Sequence, residues 1–279
     1  MIPAPVASGK AGGGGRRHVR APAPGPLRSQ PAVGRGCHHG PMDLPALGHQ
    51  IVQRVLPGAA PTTGWWVPAA VLVALAVVLL PTWRPARLAV TIVHELGHAG
   101  IGILVGRRFT GFVVSADMSG HAVTVGPRRG IGRAASTWAG YPAPALVGAV
   151  LVQIALHGWA PTALFAALVV LLVSLVFTRS VHTLVAVLGT AAAVGALWWW
   201  GSEVLIAVLT LAGGVFLLLG AWRHLAAVIR GGGRGDDPAQ LAALTPLPAA
   251  VWTLSFAAAL AACTWWAWTG LAPHLLALL

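Results

Sequence analysis

The sequence predicts an all-α multi-pass membrane protein of about seven transmembrane helices, with a small β-hairpin after the second. Three observations carry this. Of 279 residues, 57% are hydrophobic and only 9% charged, and the mean hydropathy is +0.77, a balance outside that of ordinary soluble domains. The apolar residues fall in runs of span length, flanked by Trp, Arg and Gly/Pro clusters. One run also holds His94-Glu95-Leu96-Gly97-His98. Each ionisable group at membrane depth costs at least ~2.5–3.5 kcal/mol, so a functional role is the default reading.

Charge excludes some classes. The formal net charge is +12, but the basic residues sit in short flanks and loops beside apolar runs, as the positive-inside rule expects. No basic run interleaves with aromatics, so no nucleic-acid partner is read. Cys37 and Cys263 lie far apart and make neither a disulfide framework nor a Cys-x-x-Cys metal pair.

Residues 1–48 are rich in Pro and Gly and carry Lys10, Arg16, Arg17, Arg20, Arg28 and Arg35. That composition cannot bury a core and reads as a disordered, basic, cytoplasmic tail without the apolar segment of a signal peptide. His38 and His39 beside Cys37 are read as no site. A polytopic membrane domain follows over 64–271. Its first span is 66–80, a little short, with Trp65, Trp66 and Trp83 as interface markers. The second, 88–105, carries the histidine pair and ends at Arg107-Arg108.

The segment 109–125 changes period. Two β-rich stretches flank Asp117-Met118-Ser119-Gly120, a turn signature, and read as a hairpin at the membrane surface. An exposed edge there is suited to holding an extended peptide by strand addition. The third span, 135–156, contains Pro142 and Pro144, which remove backbone donors and predict a kink. Spans at 162–177, 181–200 and 203–221 follow, then a Gly/Arg linker at 230–236 and a last span at 249–268. Seven crossings put the N-terminal tail, 106–134, Arg179 and 223–234 on the cytoplasmic side, with Arg84 and Arg87 opposite.

On a helix, residues i and i+4 share a face one turn apart. His94 and His98 therefore offer two imidazoles to one tetrahedral metal, and Glu95, about 100° round, reaches a water upon it. This is the HExxH arrangement.

The run from His94 to Arg108, the strand pair around Asp117–Gly120, Ala139-Gly-Tyr-Pro-Ala-Pro144 and Asp237-Pro-Ala-Gln-Leu-Ala-Ala-Leu-Thr245 together resemble the M50 zinc metallopeptidases. The likeness is to the M50B-like branch, relatives of the site-2 intramembrane proteases, and covers about 85–268. It implies a zinc peptidase cutting within or beside the membrane. His94 and His98 would be Zn²⁺ ligands, Glu95 the general base, and a membrane-spanning or membrane-associated protein the substrate, in the lipid bilayer of the cell membrane. Site-2 proteases take a third ligand from an Asn-Pro…Asp-Gly motif, which is absent here. The aspartate of the resembling stretch falls on Asp237, the first candidate for that ligand. Followed by Pro238, Asp237 equally reads as a helix N-cap. Asp117, His121 and His182 are rivals, each with a simpler place in a turn, at a strand edge or at the headgroups. Where relatives carry a polar Asn this chain has Ser180. The competing class is a non-catalytic metal-binding membrane scaffold. A transporter fits less well, because the other spans lack ionisable residues and paired inverted halves.

Overall fold

Each apolar run is helical in the protein's computed structural model, which describes residues 44–58, 60–61, 64–115, 119–231 and 235–277. The tail up to residue 43, with Cys37, His38 and His39, lies outside the described residues, as do Asp117 and 232–234 of the linker. The chain runs α1 (Leu44–Val55), α2 (Trp66–Leu79), α3 (Trp83–Leu104), β1 (Arg108–Val114), β2 (Gly120–Val125), α4 (Ile131–Trp138), α5 (Pro142–Leu156), α6 (Ala160–Ser174), a 3₁₀ turn (Leu175–Phe177), α7 (Val181–Trp200), α8 (Glu203–Gly231), α9 (Asp237–Leu244) and α10 (Ala249–Leu276).

Helix α1 begins inside the last five residues read as tail. It is amphipathic rather than uniformly apolar. Ile51 and Val55 pack on the core while Leu44 and Val52 stay exposed. A 12-residue helix of this kind leaves no span-length signal.

The scaffold is α2, α5, α8 and α10, which share one core containing Trp66, Val152, Leu211, Phe256 and Leu260. Gly148 of α5 and Gly214 of α8 bring two backbones together. A Cβ on Gly148 would lie 2.6 Å from the Gly214 carbonyl oxygen, and one on Gly214 would lie 2.7 Å from that of Gly148. Close approach of this kind is how helices gain dispersion contact where lipid supplies no hydrophobic drive.

Among the described residues four helices, Ala160–Phe177, Val181–Trp200, Glu203–Gly231 and Ala249–Leu276, are long and apolar enough to cross a membrane. The count rises to six if the pairs α2–α3 and α4–α5, bent by 104° and 56°, are one span each. The chain is thus a multi-pass membrane protein, and up to six crossings among the described residues roughly fit the about seven read from the sequence. The difference lies at α3, which turns crosswise to α2 instead of returning antiparallel to it. A second difference follows. Arg223 donates to the Val78 carbonyl oxygen, and its guanidinium lies 4.4 Å from the centre of the Trp83 ring. The ends of α2 and α8 are therefore neighbours, so Arg84 and Arg87 share an end of the bundle with 223–231. The loop tally that placed the N-terminus in the cytoplasm had set these two groups on opposite sides, and the structure removes that basis.

The third apolar run is two helices rather than one kinked span. Pro142 opens α5, where a missing N–H costs nothing because the first turn has no intrahelical acceptor for it. The hairpin expected over 109–125 is present as an antiparallel pair with a bulge between Phe109 and Gly111. Gly111 takes φ +149°, and a Cβ there would meet the Phe177 carbonyl oxygen at 2.6 Å. Strand β1 is moored on its outer side. The Arg179 N–H donates to the Phe112 carbonyl (3.1 Å), and the Val114 N–H donates to the buried Thr183 hydroxyl (2.8 Å). Phe112 and Val114 close a second small core with Ile92 of α3 and Val187 of α7.

Gly148→Leu should lower the stability of the detergent-solubilised protein by ~1–3 kcal/mol, the usual cost of overpacking. Gly213→Leu, which meets nothing within 4 Å, should leave the thermal midpoint near that of the wild type. Equal midpoints for both variants would contradict the α5–α8 contact.

Candidate metal centre

Helix α3 buries the stripe Thr91, Glu95, Ala99 and Gly102, which aims His94 and His98 toward α9. The two rings stand edge to face with centroids 4.6 Å apart, and their Nε2 atoms are separated by 3.1 Å. Asp237 of α9 completes a triangle. Its Oδ2 lies 3.4 Å from His94 Nε2 and 3.3 Å from His98 Nε2. These three side chains form the group able to hold a metal ion among the described residues.

The donor set fits zinc. The Ser136 carbonyl, which can only accept, lies 2.8 Å from His98 Nδ1. Nδ1 therefore donates, and in the neutral ring the Nε2 lone pair faces the centre, the tautomer that metal-ligating histidines use. Asp237 Oδ2 is buried with no hydrogen-bond partner, and its imidazole distances exceed the ~2.7–2.9 Å of a charge-assisted bond. Tetrahedral ligands at ~2.0–2.1 Å from zinc stand ~3.3–3.4 Å from one another, the spacing of this triangle. With the imidazoles protonated, their charge and donation outweigh the upward push of burial and hold the Asp237 carboxyl well below the usual carboxylate range.

The N-cap alternative for Asp237 is resolved by its neighbour. Asp236 is the N-cap, its Oδ1 accepting from the Ala239 N–H at 2.9 Å, and Asp237 is the first helical residue. The rivals separate as well. His121 stands on β2 in the wall of the same cleft, without joining the triangle. His182 is exposed in the first turn of α7. Ser180 caps that helix by accepting from the Thr183 N–H.

Glu95 is 3% exposed, and its Oε2 is buried without a hydrogen-bond partner. Two glycines make room for this chemistry. A Cβ on Gly120 would collide with the Glu95 carboxylate, and one on Gly140 would collide with both imidazoles. Tyr141, the single tyrosine of the chain, sets its ring edge to face with His94 at 4.9 Å and stacks on Phe256. A polar cleft of about 330 Å³ opens over the triangle, with Glu95, His121 and Tyr141 in its wall. Ser136, Gly120, Gly140 and Tyr141 were not singled out from the sequence. Gly140 and Tyr141 stood only within the stretch that carries the family resemblance, Gly120 only as the end of a turn, and nothing local marks Ser136.

A family model described as Peptidase M50B-like matches residues 67–267. No curated protein and no solved structure matches the chain.

Asp237→Ala should lower zinc affinity by at least ~10-fold, the lower bound seen even for groups that merely orient a ligand. Asp236→Ala should keep the metal while losing the cap, at ~0.5–2 kcal/mol of stability. Zinc titration of the two purified variants checks both, and equal affinities would remove Asp237 from the ligand set.

Proposed function

The chain belongs to the M50B-like peptidase family, and on that premise we propose that it is an intramembrane zinc metallopeptidase hydrolysing peptide bonds of membrane-spanning or membrane-associated proteins. The observation that supports this best is the convergence of His94, His98 and Asp237 beside a buried carboxylate with a free oxygen. Three protein ligands with a fourth position open are the pattern of catalytic rather than structural zinc. When bound, zinc would polarise a carbonyl and lower the pKa of a water toward ~7.

The chain's own groups do the rest. Glu95 is the general base: it takes a proton from the attacking water and passes it to the leaving amine. Its burial keeps bulk water from competing for that oxygen, and Gly120 lets the hairpin backbone close over it. The Ser136 carbonyl holds His98 in one tautomer throughout, and Tyr141 with Phe256 buttresses His94.

A helical substrate shields its carbonyls by its own hydrogen bonds and must open before cleavage. Strand β2 offers a template for that. Its outer edge carries no partner strand among the described residues, and it starts at Gly120, against Glu95. An extended segment added there lies within reach of the base.

Glu95→Gln should retain zinc yet lose at least ~10²-fold in cleavage of a single-span reporter, the lower range for a general base. A chelator should abolish wild-type cleavage, and added zinc should restore it. A Glu95→Gln protein that still cuts, or wild-type cleavage untouched by the chelator, would overturn the mechanism.

A further inference from the structure

Away from the metal centre, the turn between α2 and α3 holds a cleft of about 440 Å³. Val78, Leu79 and Leu80 line it from the end of α2, Trp83 and Arg84 from the start of α3, and Arg223 from α8. Three elements that are separate in the chain therefore meet around one cavity.

Helix α8 sets the depth of this cleft in the bilayer. No ionisable residue stands between Glu203 and Arg223, and the helix rises about 30 Å from one to the other, the thickness of a bilayer's hydrocarbon core. Arg223 thus comes at headgroup level, with a Trp beside it as is usual there. On the membrane side α2 exposes Leu72 and Leu79, two turns apart on one face, and Leu80 follows them.

The charged groups of the cleft are both cations. Arg223 spreads its guanidinium 4.4 Å from the centre of the Trp83 ring and donates to the Val78 carbonyl oxygen. That fixes the fork and leaves further N–H groups to donate, since a guanidinium carries five. The Arg84 guanidinium is exposed, with no partner among the described residues. The acids among the described residues are Glu95, Glu203, Asp236 and Asp237, and none of them lines the cleft.

We propose that this cleft is a binding site for an anionic phospholipid. Its phosphate is held between Arg84 and Arg223, and its acyl chains run along Leu79 and Leu72 of α2. Arginine takes phosphate oxygens in a directed fork. A zwitterionic headgroup brings an ammonium that meets no acid in this lining, and a free phosphate makes no use of the exposed leucines. Bound there, the lipid ties the end of α2 and the start of α3 to α8, bracing the turn that sends α3 across the bundle. The site is independent of the peptidase reading.

The test measures binding of phosphatidylglycerol and phosphatidylcholine of equal chain length to the full-length, detergent-solubilised protein by native mass spectrometry. A basic residue near an anionic headgroup is worth about fivefold, so the first lipid bound should favour phosphatidylglycerol by roughly 25-fold. Arg84→Gln should cut that preference to about fivefold without moving the thermal midpoint. Arg128→Gln, which removes an exposed arginine outside the cleft, should leave the preference whole. A photoreactive phosphatidylglycerol should label the wild type within residues 78–84 or beside Arg223, a readout that decides the case even where Arg84→Gln fails to fold. Equal affinity for the two lipids overturns the proposal, as do adducts confined to other segments. So does a preference that Arg84→Gln leaves intact or that Arg128→Gln lowers as much. Displacement of the bound lipid by millimolar inorganic phosphate would mark a free-anion site and overturn it too.

Discussion

Two imidazole nitrogens 3.1 Å apart, both facing an ionised carboxylate oxygen that accepts no hydrogen bond, form an arrangement that needs positive charge at its centre. Neutral His98 turns its Nε2 lone pair on that oxygen. In the low dielectric of a membrane bundle that repulsion is weakly screened. A cation between the three groups relieves it, and much of the surrounding architecture serves to keep them facing one another. The turn between α2 and α3 brings the histidines across the bundle, Asp236 stops α9 where Asp237 can reach them, and glycines at 120 and 140 leave space for carboxylate and rings.

The site is assembled from elements that could not hold it alone. Helix α3 supplies two imidazole nitrogens and the Glu95 carboxylate, α9 one oxygen, the α4–α5 break a tyrosine and a glycine, and the hairpin a roof. The hairpin is held from behind by Thr183 and Arg179, which join β1 to the start of α7. A helix remote from the triangle thereby fixes the height of Gly120 above Glu95. Shell upon shell of such support is what keeps catalytic groups in productive geometry.

Much of this was legible in the residues. Span-length apolar runs announced seven helical segments, alternating β-branched residues announced the hairpin, and the i, i+4 spacing announced two imidazoles on one face. Asp237 was legible only through family likeness, since Asp-Asp-Pro by itself reads as a cap, and it took the structure to show that Asp236 does the capping. What stayed hidden depended on long-range packing. A bend angle has no sequence signature beyond Pro81 and the Arg-Pro pair near it, so α3 read as an ordinary return span. Arg84 and Arg87 were then counted opposite to 223–231, with which they share an end of the bundle. Ser136 and the two glycines act through backbone atoms, which no side-chain pattern reports.

The division of the triangle between two helices has one more consequence. His94, Glu95 and His98 ride on one helix, whose own hydrogen bonds fix their spacing at any tilt. Asp237 reaches them from α9, a separate element. The triangle therefore opens by a swing of α9, while the histidine pair moves as a unit.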